Sequence, residues 1–388
     1  MKASDFFLPL MVSLTVSANA AGESTVPPDD SRIFFSDFVR LELADDAGSP
    51  TGKTARFNRL LDMPDKGYRW DNPGTRIGFR TDAARVGVIL HFSRRHISTS
   101  ARNPVVRYRV DGFSKPEWTF GSVQTGVRRD PETVAPELES PALGSFHDYE
   151  LILPYGDSVE FQGLRLPANA RLEEFPEHAK PRYIAYGNSI TQGFAATEAS
   201  RTYAFLIAEK RGWQLLNMGF GGRVSTPSDA PVVASLNPAV VTVLMGGNDW
   251  QIGRPPEAYR RNMEDFLSEL RTSNPSLPIC LITPLWVPPS WKPEKAVADL
   301  EEYRQALREL VSSLADPHLH LIEGPGLIDH DPALFDTVAV HPNDQGFSQM
   351  AERLDKAISA LSDADLLPVD RPFKTGKIPS ASILRDHD

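Results

Sequence analysis

The sequence has one cysteine, fewer basic than acidic residues, and no long apolar segment beyond its N-terminus. The single cysteine, Cys280, excludes a disulfide within the chain, and its place in the apolar run 279–282 indicates a buried, inert thiol. With 41 basic against 51 acidic side chains, the chain lacks the positive charge that nucleic acid and anionic membrane surfaces attract. The histidines show no spacing typical of metal ligands. We therefore expect no nucleic acid, membrane, metal or cofactor, and a neutral substrate as partner.

The N-terminal end of the chain has the pattern of an export signal. Lys2 precedes an apolar segment at 6–16, and Ala18-Asn19-Ala20 provides the small residues of a cleavage site. The segment is too short to span a bilayer stably. We therefore predict a signal peptide at 1–20 and a secreted or periplasmic protein. At the other end, the Pro, Lys, Ser and Asp content of 363–388 indicates a tail beyond the folded domains.

Residues 31–176 have the pattern of β-strands, with almost no helical periodicity. Apolar residues recur at every second position in three stretches, 86–92, 106–110 and 149–153. Turn signals such as Asp111-Gly112 separate the stretches. The pattern predicts an N-terminal β-sandwich domain of the jelly-roll kind, in which 126–144, rich in Pro, Glu and Arg, is a long loop.

A linker flanked by prolines, at 175–181, precedes a segment with a different pattern. From 181 to 362, strand-like apolar runs alternate with amphipathic helical stretches. Strands are predicted at 183–186, 214–218, 240–244, 279–281 and 319–322, and helices near 202–211, 256–273, 294–314 and 345–361. The alternation is typical of a parallel sheet covered by helices on both faces, so we predict a three-layer α/β/α domain.

Polar and glycine-rich motifs follow the predicted strands of this second domain. Ser189 follows the first strand, a glycine-rich loop at 219–222 follows the second, Gly247-Asn248-Asp249 follows the third, and His341 precedes the last helix. In parallel α/β sheets, reactive residues collect beyond the carboxyl ends of the strands. Each motif also has a purely structural explanation, as a cap or a turn, but their combination at one edge indicates an active site.

A serine and a histidine at one sheet edge indicate acyl transfer. A serine hydroxyl becomes nucleophilic when a base such as a neutral histidine takes its proton. Attack on an ester carbonyl creates an oxyanion, for which the backbone N–H groups of Ser189 and Gly222 and the side-chain amide of Asn248 are candidate donors. Nucleotide binding at 219–222 fits poorly, because the P-loop lysine is absent and no full dinucleotide fingerprint forms.

The second domain resembles the SGNH (GDSL-type) hydrolase superfamily over about 183–361. The resemblance implies that Ser189 is the nucleophile, that His341 is the base, and that Gly222 and Asn248 complete the oxyanion hole. It rests on four sequence blocks in the order of that superfamily: Gly187-Asn188-Ser189-Ile190-Thr191, the loop ending in Gly222, Gly247-Asn248-Asp249, and His341-Pro342-Asn343.

The catalytic acid departs from the superfamily pattern. Relatives usually carry it three residues before the histidine, where this chain has Val338, whereas Asp336 lies five before His341 and Asp329 and Asp331 lie further back. Either Asp336 reaches the imidazole, or a backbone carbonyl orients the ring in a Ser-His dyad. We favour the dyad. Asn188 stands where many relatives have Asp, and an amide can still hydrogen-bond the turn.

The two-domain organisation further resembles carbohydrate esterases of family 2, which remove acetyl groups from plant polysaccharides. This second likeness rests on the architecture and on the linker region, including 161–166. Trp250, Trp286 and Trp291 follow strand ends and are candidates for a sugar-stacking rim, with packing as the alternative for each.

The hypothesis is a secreted serine esterase that deacetylates a carbohydrate, with an acetylated carbohydrate as its partner and no predicted oligomeric state. One alternative is an esterase or thioesterase acting on short acyl chains of non-sugar substrates, because specificity lies outside the catalytic blocks. A second alternative is a non-catalytic carbohydrate-binding protein that has lost its acid at position 338.

Overall fold

The N-terminal part of the chain folds into strands, because apolar and polar residues alternate along it. The computed structural model describes residues 22–61, 68–95, 104–122, 130–176, 178–336 and 340–361. The predicted signal peptide and the predicted tail lie outside these residues. Among the residues described, no helix is both long and apolar enough to cross a membrane.

Thirteen strands precede residue 174 in the described part of the chain. They are β1 (Glu23–Val26), β2 (Phe34–Ser36), β3 (Arg40–Asp45), β4 (Lys53–Asn58), β5 (Arg76–Thr81), β6 (Arg85–Arg95), β7 (Val105–Val110), β8 (Thr119–Gly121), β9 (Glu132–Val134), β10 (Glu137–Glu139), β11 (His147–Ile152), β12 (Asp157–Pro167) and β13 (Leu172–Glu173).

These strands form two antiparallel sheets. One has the order β10-β6-β12-β4-β3, with β1 beside β12 and β9 beside β6, and the other has the order β13-β5-β11-β7-β8, with β2 beside β5. Side chains of both sheets, including Phe79, Leu90, Leu151 and Phe161, share one buried core. The predicted β-rich N-terminal domain is confirmed.

Two expectations about this domain were wrong. The segment 126–144 is not wholly a loop, because β9 and β10 lie within it and both pair with β6. Each of these short strands has a single buried residue, Val134 or Leu138. One apolar residue among polar neighbours is too little to give a recognisable alternating pattern in the sequence. The segment 161–166 lies within β12 rather than in the linker.

The C-terminal part has a five-stranded parallel sheet in the order β15-β14-β16-β17-β18. Its strands are β14 (Arg182–Gly187), β15 (Gln214–Gly219), β16 (Val240–Leu244), β17 (Ile279–Ile282) and β18 (Leu319–Ile322). The helices of this part are α1 (Ser189–Gln192), α2 (Tyr203–Arg211), α3 (Ala230–Ser235), α4 (Gly247–Ile252), α5 (Pro256–Ser273), α6 (Leu300–Leu314) and α7 (Asp344–Ala360).

Helices cover both faces of this sheet, which confirms the predicted three-layer domain. Residues of α5 and α6 such as Phe266 and Leu307 join the core on one face, and residues of α2 and α7 such as Phe205 and Leu354 join the core on the other. Cys280 is fully buried in the second core, as predicted, and burial raises the pKa of its thiol to about 12.

Helix α6 begins later than the sequence pattern predicts. The predicted start was residue 294, whereas the helix begins at Leu300. A capping box sets this start, because the Asp299 side chain accepts from the backbone N–H of Glu302 and the Glu302 side chain accepts from the backbone N–H of Asp299.

Ion pairs join the two parts of the chain. Glu209, on α2, pairs with Arg76 of β5 and with Arg109 of β7. Glu198 accepts two hydrogen bonds from the Arg107 guanidinium of β7, at 2.8 and 2.9 Å. Both Arg107 and Glu198 are buried, so the pair is shielded from solvent.

Candidate active site

Ser189 begins a one-turn helix directly after β14. The Asn188 side chain caps this helix by accepting from the backbone N–H of Ile190 at 3.0 Å, so the amide does hydrogen-bond the turn. Gly193, with φ of 108°, ends the helix. A Cβ at Gly187 would lie 2.1 Å from Oγ1 of Thr191, so the strand must end in a glycine here. The tight turn presents the Ser189 hydroxyl at the carboxyl end of β14.

Ser189, His341 and Asp336 form a continuous hydrogen-bonded chain. Oγ of Ser189 lies 2.9 Å from Nε2 of His341, and Nδ1 of His341 lies 3.0 Å from Oδ2 of Asp336. The Phe194 ring packs against the imidazole, with 4.4 Å between ring centroids. The arrangement is that of a nucleophile, a base and an orienting acid.

The Asp336 carboxylate is held in its ionised form. Burial alone would raise its pKa, but hydrogen bonds from the His341 side chain and from the backbone N–H groups of Val340 and His341 outweigh burial and lower the pKa. A fixed negative charge beside Nδ1 favours the tautomer of His341 that leaves Nε2 free to accept a proton.

A backbone pairing explains how Asp336 reaches His341 across five positions. The N–H of Asp336 donates to the carbonyl of His341 at 2.8 Å, and Phe335 forms a β-bridge with Pro342. The backbones of Asp336 and His341 therefore lie side by side, which brings the two side chains together. Val338 lies outside the described residues. This geometry favours a triad over the dyad that we expected.

Gly222 and Asn248 lie on the two sides of Ser189, since β15 and β16 flank β14. Both line the same cavity as Ser189 and His341. Gly222 has φ of 82°, in the left-handed region that favours glycine. The Asn248 amide donates to the carbonyl of Arg223 at 2.9 Å, which connects the start of α4 to the glycine loop.

Buried ion pairs hold the backbone that follows the glycine-rich loop. Asp249, fully buried, accepts from the N–H and the hydroxyl of Ser225 and pairs with Arg254. Arg223 pairs with Asp229, which also accepts from the Tyr186 hydroxyl at 2.7 Å. These bonds fix the backbone that follows Gly222.

The cavity has a volume of about 470 Å³, and many of its lining residues are apolar. Trp250 and Trp291 line it and contact each other edge to face, with 5.3 Å between ring centroids, while the Trp250 indole donates to the carbonyl of Ala298. Trp286 is not among the lining residues, because its ring stacks on His330. The other apolar lining residues include Ile190, Leu244, Met245, Leu285, Val287 and Leu300.

Sequence reasoning missed Phe194, which contacts the imidazole from the segment after α1. Its position one residue after the glycine that ends α1 was the available signal, since that residue must fold back toward the helix start. Among the described residues, no group of three or more His, Cys, Asp or Glu side chains is arranged to hold a metal ion.

Comparison with known proteins gives a family match for the second domain. Residues 185–348 match the GDSL-like Lipase/Acylhydrolase family. No curated protein matches the sequence. The predicted resemblance of the second domain to the GDSL-type hydrolases is therefore confirmed.

Solved structures share the fold of nearly the whole chain. The salicylyl-acyltransferase SsfX3 from a tetracycline biosynthetic pathway is 21% identical with a TM-score of 0.72, and the alignment covers 90% of this chain and 100% of that one. A putative GDSL-like lipase from Bacteroides ovatus is 19% identical with a TM-score of 0.69, covering 87% and 98%. A family two carbohydrate esterase from Cellvibrio japonicus is 16% identical with a TM-score of 0.62, covering 87% and 97%.

The family match supports a carboxylic ester hydrolase. The alignments extend over both domains, so the β-sandwich and the α/β/α domain occur together in these structures too. The two-domain likeness to family two carbohydrate esterases is therefore a likeness of fold.

Proposed function

We propose that the protein is an exported serine esterase that removes acetyl groups from a carbohydrate. The observation that carries the proposal is the chain of contacts from Ser189 through His341 to Asp336, at 2.9 and 3.0 Å, at one end of a ligand-sized cavity. Export rests on the signal-like pattern of 1–20.

The first half of the reaction forms an acetyl-enzyme. As Oγ of Ser189 attacks the acetyl carbonyl carbon, Nε2 of His341 takes the hydroxyl proton, and Asp336 stabilises the imidazolium. The negative charge on the carbonyl oxygen is met by the N–H groups of Ser189 and Gly222 and by the Asn248 amide. The intermediate then collapses, the bond to the sugar oxygen breaks, and His341 returns its proton to that oxygen.

The second half releases acetate. Nε2 of His341 takes a proton from a water molecule, whose oxygen attacks the acetyl carbonyl carbon in the same oxyanion hole. When the second tetrahedral intermediate collapses, the bond to Oγ of Ser189 breaks and His341 returns the proton to Oγ. The enzyme regains its starting state, and the net reaction consumes one water molecule.

Aromatic side chains and the two-domain fold support a sugar substrate. Trp291 is partly exposed beside the cavity, and an indole face can stack on the C–H groups of a sugar ring. The fold likeness to a carbohydrate esterase that spans both domains points in the same direction.

A non-sugar acyl ester is the second candidate, and the apolar lining residues of the cavity favour it. Met245, Leu285, Val287 and Leu300 offer surface that an acetyl group alone would not cover. A related fold belongs to a salicylyl-acyltransferase, whose name implies an acyl group larger than acetyl.

Acetate release from a chemically acetylated xylo- or gluco-oligosaccharide tests the proposal, with longer acyl esters assayed in parallel. Release that disappears in Ser189→Ala, at a higher kcat/KM than for the longer esters, is the expected result. Cleavage of the longer esters alone would favour the second candidate. Sugar binding with no ester cleavage would favour the alternative of a non-catalytic carbohydrate-binding protein.

A further inference from the structure

A buried ion pair of the β-sandwich domain lies against the loops of the candidate active site. Arg59 directly follows β4 and is 1% exposed, and Asp71 is fully buried. Nη2 of Arg59 lies 3.9 Å from Oδ2 of Asp71. Burying two charges costs free energy of folding unless their remaining hydrogen-bond donors and acceptors are satisfied. The groups that satisfy them therefore show which parts of the structure the pair connects.

Arg59 is bonded to the glycine-rich loop. Its Nη1 donates to the carbonyl of Gly219 at 2.6 Å and to the carbonyl of Asn217 at 3.2 Å. Its Cζ lies 4.0 Å from the centroid of the Phe220 ring, which is fully buried. Asn217 and Gly219 lie at the end of β15, and Phe220 and Gly221 connect that end to Gly222.

Asp71 is bonded to the helix that carries the nucleophile. It accepts from the side-chain amide of Gln192 and, at 2.8 Å, from the backbone N–H of Gly156. Gln192 is the last residue of α1, and Ser189 is the first. One end of the ion pair therefore holds the glycine loop, and the other end holds the turn that presents Ser189.

The two loops are also in direct contact with each other. The Asn217 amide donates to the carbonyl of Thr191 at 2.8 Å, and its oxygen accepts from the N–H of Gly219 at 2.9 Å. A Cβ at Gly219 would lie 2.1 Å from the backbone nitrogen of Gln192. Because the packing is this close, a displacement of the glycine loop changes its distance to Ser189 directly.

We propose that Arg59 and Asp71 are positioning residues for acyl transfer, through which the β-sandwich domain fixes the oxyanion hole relative to the nucleophile. The proposal rests on the proposed function, because it assigns the Gly222 N–H to the oxyanion. Donors must sit within a fraction of an ångström of their place, and a displacement of 1 Å costs about a hundredfold in rate. Neither Arg59 nor Asp71 lines the cavity, so we expect their replacement to affect kcat more than KM.

The test compares two charge-pair variants of the full chain. Arg59→Met/Asp71→Asn removes both buried charges together, which avoids leaving one unpaired. Arg109→Met/Glu209→Gln removes a pair that also joins the two domains but leads to α2 rather than to the site. We expect kcat for an acetate ester to fall about tenfold or more in the first variant, with KM near that of wild type, and to stay near wild type in the second.

A conservative change keeps the test usable if the double variant does not fold. Arg59→Lys keeps the charge but loses the planar fork that reaches two carbonyls, so kcat should fall between wild type and the double variant. Equal kcat in wild type and in both Arg59 variants, or an equal loss of kcat in the Arg109 control, would overturn the proposal.

Amide hydrogen exchange separates this proposal from the proposed function. Residues 217–223 should exchange faster in Arg59→Met/Asp71→Asn than in wild type or in the Arg109 control, whether or not an ester is cleaved. Unchanged exchange would also overturn the positioning role. A different outcome is that wild type shows no Ser189-dependent hydrolysis while exchange is still faster in the variant. That result would reject the esterase but would support the role of Arg59 and Asp71 in holding the loop.

Discussion

Oδ2 of Asp336 lies 3.0 Å from Nδ1 of His341, although five positions separate the two residues in sequence. The contact is possible because Asp336 and His341 are paired through their backbones, and Phe335 and Pro342 form a bridge beside them. The backbone pairing thus brings the Asp336 carboxylate to the imidazole, whatever the spacing of the two residues in sequence.

The Asp336→Asn variant should lose most of its turnover. An amide at this position favours the wrong imidazole tautomer, and we expect kcat to fall by a factor on the order of a hundred to ten thousand. Steady-state kinetics with an acetate ester measures the change. Asp329→Asn is the matched control, since Asp329 pairs with Arg353 on the surface, and it should keep wild-type kcat. A nearly unchanged kcat in Asp336→Asn would support a Ser-His dyad instead of a triad.

Asn248→Ala should lower kcat on the order of a hundred- to a thousandfold, because one oxyanion donor is lost. KM should change little, since the ground-state ester carries no full charge for the amide to bind. The measurement is kcat and KM with a small acetate ester, together with the melting temperature. A loss of kcat that appears only when the variant is partly unfolded would argue against the donor role.

Trp291→Ala should raise KM for an acetylated oligosaccharide more than for a small acetate ester. The ring lines the cavity, so its removal takes away stacking surface that only a sugar uses. Trp286→Ala is the matched control, because Trp286 also follows β17 but stacks on His330 instead of lining the cavity. Equal effects on both substrates would favour the non-sugar ester.

Acid should weaken the contact between the domains through Glu209. Burial alone would raise the pKa of Glu209, but Arg76 and Arg109 outweigh burial and hold the pKa below its usual 4.5. The ion pairs therefore contribute their full stability above pH 4.5, and this contribution is lost as the pH falls through the lower folded-state pKa.

Urea unfolding of wild type and of Glu209→Gln at several pH values measures this effect. The difference in unfolding free energy between the two proteins should be largest near neutral pH and should shrink below the usual carboxyl range, where Glu209 is protonated in both states. A difference that grows as the pH falls would contradict the lowered pKa.

Elements with a clear apolar pattern were predicted well, and elements whose ends depend on caps less well. Strand β16 was predicted at 240–244, where the structure has it, because burial on both faces leaves a nearly continuous apolar run. Helix α5 was predicted at 256–273, where the structure has it, because burial on one face leaves a helical periodicity. The start of α6 was missed although Asp299 and Glu302 have capping-box spacing, since 294–299 contains residues that are common in helices.

The site could be anticipated where chain topology alone brings residues together. Ser189, Gly222 and Asn248 follow three neighbouring parallel strands, so their convergence is a property of the sheet. The contact of Arg59 with Gly219 joins positions 160 residues apart in two different domains, and no local pattern announces it. Placing Trp286 outside the cavity likewise needed its contact with His330.

The hydrogen bonds of Arg59 to Gly219 and of Asp71 to Gln192 also bear on how such a gene can change by recombination. Exchange of the β-sandwich for another domain would remove the donors that hold the Gly219 carbonyl and the acceptor that holds Gln192. A viable exchange would have to bring an equivalent pair with it. Crossovers between related genes should therefore survive mainly when both domains come from the same parent.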